Sequence, residues 1–241
     1  MDEFLRTKML LGQSAFDILN KSTVCVFGIG GVGSYVCESL ARSGIGNFIL
    51  FDNDVVDITN INRQLIATHE TIGKFKTDVM KDRILSINPN ANVITHNVFY
   101  TEENSMEFNV DKCNYIVDAI DTVKSKLTLI KFANDNNIPI ISSMGTGNKL
   151  NPLEFEVTDI YKTSVCPLAR VMRKELKELN IPKLKVIYSK EKPRVQKFAI
   201  PTPPDSSRRS TPASVSFVPS VAGLIISSEV IKDLIGDIDN K

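Results

Sequence analysis

The chain lacks the features that would assign it to a membrane or to a secretory route. No apolar run in its 241 residues approaches the roughly 20 residues that a membrane-spanning helix requires, so no transmembrane segment is predicted. Met1 is followed by the acidic residues Asp2 and Glu3, whereas the N-terminal region of a signal peptide is basic. No signal peptide is therefore expected. A net charge of +1 gives no global argument for binding nucleic acid or a membrane surface.

Cysteine and histidine are scarce and dispersed. Cys25 and Cys113 lie within or beside apolar runs, where a free cysteine behaves as a small hydrophobic residue. His69 and His96 are isolated and have no metal-ligand spacing, so packing or surface roles are expected for both. This pattern predicts a reduced, cytoplasmic protein. The four cysteines, none of them in a close pair, are Cys25, Cys37, Cys113 and Cys166.

A glycine-rich segment, residues 28–34, is the most informative feature that is present. The apolar run 24–27 precedes it and a helical pattern follows it, which is the arrangement of a strand, a turn and a helix. Glycines at such a turn let backbone N–H groups and the helix N-terminus approach a phosphate. A second apolar run, 48–51, ends at Asp52, which is placed to bind ribose hydroxyls. The candidate glycines are Gly28, Gly30, Gly31 and Gly33.

Cationic residues after Asp52 favour a nucleoside triphosphate over NAD. A dehydrogenase needs one acid for the ribose but has no need of Arg63 and Lys76 beyond it. An enzyme that acts on a triphosphate needs such cations, because charge builds on the phosphates during transfer. Another apolar strand, 115–117, leads to Asp121, which is placed to hold Mg²⁺ at the carboxyl edge of a parallel sheet.

Together, the glycine motif, the polar segment 52–64, Lys76 and the Asp118/Asp121 pair resemble the ubiquitin-activating-enzyme-like adenylyltransferases of the ThiF type. The resemblance implies ATP as the cofactor, with Arg63 and Lys76 on its phosphates. It likewise implies that Asp52 binds the ribose and that Asp121 supports Mg²⁺.

The same resemblance implies that Arg6 reaches across a homodimer into the neighbouring site. Further polar side chains in segment 52–64 have two interpretations. Asn60 and Asp54 are suited either to contact ATP or to cap the loop, and contact is favoured for Asn60 alone. Gln64 is a further candidate nucleotide contact. Asp118 fits metal binding and strand-end capping equally well.

Segments 120–126 and 157–163 are similar to one branch of that family, the tRNA threonylcarbamoyladenosine dehydratases. This implies tRNA as the partner and a threonylcarbamoyl carboxylate, on the adenosine next to the anticodon, as the group that ATP adenylates. The substrate's own carbamoyl group then closes a ring and expels AMP, so no enzyme thiol is required.

Three alternatives stay open. A sulfur-carrier activator would adenylate the C-terminal glycine of a small protein. A sulfur-transfer protein is a further candidate partner in either case. Such activators usually carry two Cys-x-x-Cys pairs, which this chain lacks, and Cys166 is its one candidate transfer cysteine outside the predicted strands and helices. An NAD-dependent oxidoreductase is disfavoured by Arg63 and Lys76. A non-catalytic nucleotide-binding scaffold would retain every charged motif position for no chemical purpose.

Strands alternating with helices predict an α/β fold, a doubly wound, mostly parallel Rossmann-like sheet. After about residue 145 the pattern changes to that of a smaller C-terminal antiparallel part. We expect one adenylate-forming domain over 1–241, with a nucleotide-binding core of about 1–150. The extension, about 151–241, contains a proline-rich mobile loop near 190–215. Predicted helices cover 10–19, 76–85, 124–134, 167–179 and 221–234, and predicted strands cover 93–95, 115–117, 138–141, 155–160 and 186–189.

Two further segments bear on the substrate. The loop 142–147 follows the last parallel strand and either shapes the acyl-group pocket or is a simple glycine turn. Basic residues of the second half either meet tRNA phosphates or belong to a solvated loop. They are Lys183, Lys185, Lys190, Lys192, Arg194, Lys197, Arg208 and Arg209.

Overall fold

The structure is a computed structural model, which describes residues 2–104, 107–108, 110–198 and 211–236. Within these residues, seven strands form one sheet in the order β3-β2-β1-β4-β5-β7-β6. The strands are β1 (Thr23–Phe27), β2 (Asn47–Phe51), β3 (Asn92–His96), β4 (Tyr115–Asp118), β5 (Ile140–Ser143), β6 (Phe155–Asp159) and β7 (Lys185–Ser189). The helices are α1 (Leu5–Leu11), α2 (Gln13–Lys21), α3 (Gly33–Arg42), α4 (Lys76–Ile87), α5 (Val123–Asp135), α6 (Pro167–Glu178) and α7 (Phe217–Ile235).

The sheet is parallel except at one edge. β6 runs antiparallel to β7, while β7 itself pairs parallel to β5. The predicted α/β fold with a mostly parallel, doubly wound sheet and an antiparallel C-terminal part is therefore confirmed. From β1 the chain builds outward to β2 and β3, and it then returns to β4 on the other side of β1. This reversal opens a crevice at the carboxyl ends of β1 and β4, where ligands of such sheets bind.

The C-terminal helix α7 packs against α3, the helix that follows the glycine motif. Gly223 makes the close approach, because a Cβ atom there would lie 2.5 Å from the carbonyl oxygen of Val32. One turn farther on, the Ser227 hydroxyl donates to Ser39 Oγ at 2.7 Å. The last helix of the chain thus supports the nucleotide motif near its beginning.

Two helix boundaries differ from the sequence predictions. The helix predicted near 10–19 is found as α2 (Gln13–Lys21), and its start differs because Gly12 adopts φ +84° and separates it from α1. The final helix begins at Phe217, before the predicted start signal at Pro219. Proline fits there because the N–H groups of a first helical turn have no partner within the helix. The predicted mobile loop near 190–215 falls partly on residues 199–210, outside the described residues.

No helix in the described part of the chain is both long enough and apolar enough to cross a membrane.

Candidate active site

A cavity of about 960 Å³ lies at the carboxyl ends of β2, β1, β4 and β5. This volume is near the upper end of the range for small-molecule sites, about 300–1,000 Å³. Two predicted site residues do not line it: Gly33 begins α3, and Arg6 is exposed on α1. The predicted residues that do line it are Gly28, Gly30, Gly31, Asp52, Asn60, Arg63, Gln64, Lys76 and Asp121.

The glycine turn requires glycine at two positions for steric reasons. Gly28 adopts φ +88°, and a Cβ atom on it would lie 2.7 Å from the carbonyl oxygen of Ala119. A Cβ atom on Gly33 would lie 1.8 Å from the carbonyl oxygen of Gly28. Gly33 therefore closes the turn, while Gly28 faces the cavity and brings the β1 and β4 ends together.

Asp52 connects the end of β2 to the glycine turn. Its Oδ2 accepts a hydrogen bond from Ile29 N at 2.7 Å, and its Oδ1 accepts one from Asp54 N at 2.9 Å. Burial raises the pKa of the Asp52 carboxyl, and the nearby Lys76 charge and these two backbone donors oppose the increase. The side chain thus holds the turn and also presents a carboxylate to the cavity.

Lys76 is the first residue of α4, and its side chain is buried in the cavity wall. It is 5% exposed, and its Nζ donates to Asp54 Oδ2 at 2.7 Å. Asp52 Oδ1 lies 4.0 Å from the same nitrogen. Lys74, two residues earlier, is exposed and does not line the cavity. Of the two lysines, only Lys76 is buried and lines the cavity.

The polar segment before α4 folds into a short 3₁₀-helix, Ile58–Asn60, and a turn that carries Arg63. Arg63 lines the cavity and donates to the Thr59 carbonyl oxygen at 2.8 Å. Asn60 Oδ1 accepts from Asp57 N at 3.1 Å, so Asn60 caps the helix as well as lining the cavity. Gln64 is buried, and its Oε1 has no hydrogen-bond partner among the described residues, which leaves an acceptor for a ligand.

Asp118 belongs to a buried ion pair. Its Oδ2 accepts from Lys126 Nζ at 2.9 Å and from Ser142 Oγ at 2.6 Å, and both charged side chains are fully buried. Its Oδ1 accepts from Ile120 N at 3.2 Å, so the pair also supports the loop that leads to Asp121. The structure thus gives Asp118 the strand-end role rather than the metal-binding role.

Asp121 lies exposed at the rim of the cavity. No group of three or more histidine, cysteine or acidic residues in the described ranges is arranged to hold a metal ion. Magnesium at nucleotide sites is usually held by one or two carboxylates together with the substrate phosphates. A single carboxylate beside a phosphate-binding turn therefore fits a magnesium ion that arrives with the nucleotide.

Residues from the second half of the chain complete the cavity wall. Asn148 N donates to the Ala213 carbonyl oxygen at 2.7 Å, and Ala213 N donates back to Asn148 Oδ1 at 2.8 Å. Asn62 Nδ2 donates to the Ser214 carbonyl oxygen at 2.9 Å. The segment before α7 is thereby attached both to the loop after β5 and to the polar segment that carries Arg63.

Cys166 and Lys149 face the cavity on its β5 side. Cys166 lies outside the strands and helices, as expected, because it directly precedes α6, and it is nevertheless buried, with 2% of its surface exposed. Lys149 is 3% exposed, and its Nζ donates to the carbonyl oxygen of Glu191. Burial lowers the pKa of Lys149, and interactions with Cys166 and Glu191 oppose the decrease.

Three groups of site residues were missed by the sequence predictions. Val98, Phe99 and Tyr100 follow β3 and give the cavity an apolar wall, which their apolar run after the strand could have indicated. Lys126 shares the buried face of α5 with Leu129, Ile130 and Ala133, and this helical spacing was visible in the sequence. Nothing in the sequence around Lys149 indicates that it is buried.

The basic residues of the second half are partly engaged in ion pairs. Lys185 pairs with Asp233 at 2.8 Å, and Arg194 pairs with Glu191 at 3.0 Å. Lys190 pairs with Glu156. Lys183, Lys192 and Lys197 are exposed, whereas Arg208 and Arg209 lie outside the described residues.

Comparison with known proteins agrees with this geometry. A tRNA threonylcarbamoyladenosine dehydratase of Bacillus subtilis is 43% identical over 248 residues, which cover 100% of this chain and 98% of that protein. The crystal structure of the Escherichia coli tRNA N6-threonylcarbamoyladenosine dehydratase in complex with AMP matches with a TM-score of 0.88 at 32% identity, covering 97% of this chain and 94% of that one. Its complex with ATP matches with a TM-score of 0.86, also at 32% identity, covering 97% and 93%. The ThiF family model matches residues 5–241, and the chain therefore belongs to the ThiF family.

Proposed function

We propose that the protein is an ATP-dependent tRNA threonylcarbamoyladenosine dehydratase. It adenylates the threonylcarbamoyl carboxylate on the adenosine next to the anticodon and then cyclises it. The observation that carries this proposal is the full-length similarity to the Bacillus subtilis dehydratase, combined with a cavity in which a glycine turn, Asp52 and Lys76 converge. The Escherichia coli relative of the same name binds ATP and AMP.

In the first step, a carboxylate oxygen of the substrate attacks the α-phosphorus of ATP, and pyrophosphate leaves. Charge develops on the phosphate oxygens, and preorganised cations stabilise such charge. Lys76 and Arg63 supply these cations, while Asp52 binds the ribose and the 28–33 turn receives the phosphates. When bound, Mg²⁺ held by Asp121 and the phosphates would offset the charge of the triphosphate.

In the second step, the substrate's carbamoyl group attacks the activated carbonyl carbon, and AMP leaves with the oxygen that joined the carbonyl to phosphorus. The sum of the two steps removes water from the modification at the expense of one ATP. Since both reacting groups are on the same substrate, the enzyme needs only to hold them in position. The remaining proposed nucleotide contacts are Gly28, Gly30, Gly31, Gly33, Asn60 and Gln64.

The proposal that the protein is a homodimer follows from the family resemblance. We expect 1–241 to act as one adenylate-forming domain in a cytoplasmic homodimer, with Arg6 of one subunit reaching the site of the other. Two apolar side chains on the helix that carries Arg6 support a contact surface there, because Met9 is 77% exposed and Leu10 is 84% exposed. A sulfur-transfer protein is a further proposed partner of the enzyme.

The nucleotide products test the proposed function directly. With ATP, Mg²⁺ and tRNA that carries the threonylcarbamoyl group, we expect AMP and pyrophosphate in equal amounts, together with a tRNA lighter by one water. Chromatography of the nucleotides and mass spectrometry of the digested tRNA measure both. The same tRNA lacking the modification is the control and should yield no AMP. Formation of ADP and phosphate, or a small carrier protein as the group adenylated, would contradict the proposal.

A second prediction concerns Cys166. Because the nucleophile that releases AMP belongs to the tRNA, Cys166→Ser should retain most of the cyclisation activity, with any loss caused by placing a hydroxyl in an apolar environment. Cys166→Ala is the companion variant without that hydroxyl. Cyclised tRNA is quantified by mass spectrometry. Variants that fold and form the acyl-adenylate but do not cyclise, or a covalent intermediate trapped on Cys166, would refute the ring-closure mechanism.

A further inference from the structure

Lys149 is a buried cation on the β5 side of the cavity, away from the residues that hold the nucleotide. It follows β5, whereas Asp52 follows β2, and these strands are three positions apart in the sheet. At about 4.8 Å per strand, the two strands are about 14 Å apart. The glycine turn and Lys76 lie on the β1 and β2 side. The β5 side is therefore available for the second reactant.

The charge of Lys149 has no carboxylate partner within 4.0 Å among the described residues. The nearest candidate, the Glu191 carboxylate, instead accepts from Leu150 N at 2.9 Å and Asn151 N at 2.8 Å, and it pairs with Arg194. The ammonium group of Lys149 has three N–H donors, and one of them donates to the Glu191 carbonyl oxygen. Burying a charge without a counter-charge is costly, so an anionic ligand is the expected complement.

The walls around Lys149 suit a small acyl group. Gly147 approaches Pro212 so closely that a Cβ atom on the glycine would lie 2.7 Å from the proline Cβ. Leu168 and Met144 line the same part of the cavity. A cation next to small and apolar walls matches a carboxylate that carries a short side chain ending in a methyl group, such as that of threonine.

We propose that Lys149 binds the carboxylate of the acyl substrate and thereby distinguishes modified from unmodified tRNA. The inference rests on the proposed function and adds to it the residue that recognises the reacting group. The ammonium group holds the carboxylate while one of its oxygens attacks the α-phosphorus of ATP. After pyrophosphate has left, the same group remains beside the carbonyl oxygen of the acyl-adenylate.

The test compares tRNA affinities in the presence of AMP. The wild-type enzyme should bind tRNA that carries the threonylcarbamoyl group more tightly than the same tRNA without it. Lys149→Met and Lys149→Gln should lose about 10- to 100-fold of this preference, because a charge-assisted hydrogen bond is removed. Lys149→Gln keeps a donor for the Glu191 carbonyl oxygen. If the role of Lys149 were purely structural, this variant would therefore keep the preference for modified tRNA. Lys149→Arg keeps the charge and should retain part of the preference.

Two controls identify the anion that Lys149 binds. ATP affinity should stay within about twofold of the wild-type value in all three variants, because Lys76 and Arg63 hold the phosphates. Lys192→Met removes an exposed positive charge next to Glu191, the residue that Lys149 contacts, and it should affect both tRNAs equally. An unchanged preference in Lys149→Gln, or weaker ATP binding with the preference intact, would overturn the inference. A wild-type enzyme that makes no AMP with modified tRNA would instead contradict the proposed function on which it rests.

Discussion

Replacing Lys76 with alanine is expected to lower the rate of adenylate formation by about 100- to 1,000-fold, the usual effect of removing one preorganised charge-stabilising donor. Lys76 is 5% exposed and is held between Asp54 and Asp52. Its position is therefore fixed before the nucleotide arrives, and little reorganisation is needed when charge develops on the phosphates. Arg63→Ala should slow the same step, because Arg63 lines the same part of the cavity.

Single-turnover release of pyrophosphate in the presence of modified tRNA measures this step. Lys74→Ala is the matched control: it removes a lysine two residues away that is exposed and outside the cavity, so the rate should stay near that of the wild type. Asp52→Ala should chiefly weaken ATP binding. If Lys76→Ala and Arg63→Ala both released pyrophosphate at the wild-type rate, the phosphate-binding assignment would be wrong.

The second large effect concerns stability. Lys126→Met should lower the free energy of unfolding by about 3–5 kcal/mol, because it leaves the Asp118 carboxylate buried without its counter-charge. Both side chains are fully buried, and their charged atoms are 2.9 Å apart. Denaturant unfolding followed by circular dichroism measures the change. Combining Lys126→Met with Asp118→Asn removes both charges and should recover part of the loss.

A control for this measurement lies on the same helix. Lys131 forms an exposed ion pair with Asp135, and exposed pairs contribute little to stability. Lys131→Met should therefore leave the unfolding midpoint near its wild-type value. A Lys126→Met variant as stable as the wild type would show that the buried pair does not support this part of the sheet.

Much of the nucleotide half was predictable because its signals are local. Glycines after an apolar run predict a strand-to-helix turn, and an acid after the next run lies at the same sheet edge. Gly28 and Asp52 are consequently found at adjacent strand ends, joined through Ile29 N. Lys76, which the family resemblance assigns to the ATP phosphates, is buried in the wall of the same cavity.

Other features depend on contacts that no local pattern encodes. The start of the helix predicted near 10–19 was wrong, because Gly12 adopts a positive φ that only the folded chain selects. Lys126 had the spacing of a buried residue, but its partner Asp118 becomes apparent only when β4 and α5 are in place. Cys166 lies outside the strands and helices, as predicted, but its burial depends on packing against residues of α6 such as Ala169 and Met172.

The sequence by itself determined the fold class, the glycine turn and the acids and cations that line the cavity, because each depends on the order of residues along one strand and its following turn. Only the tertiary structure decided which distant residues contact them. Pro219 contacts the glycine turn at Gly31, although nearly two hundred positions separate them along the chain. Lys149 becomes a buried cation in the same way, since it follows β5 and contacts the carbonyl oxygen of Glu191, which follows β7. Hydrophobic periodicity reports which face of an element is buried, but not which other element covers it.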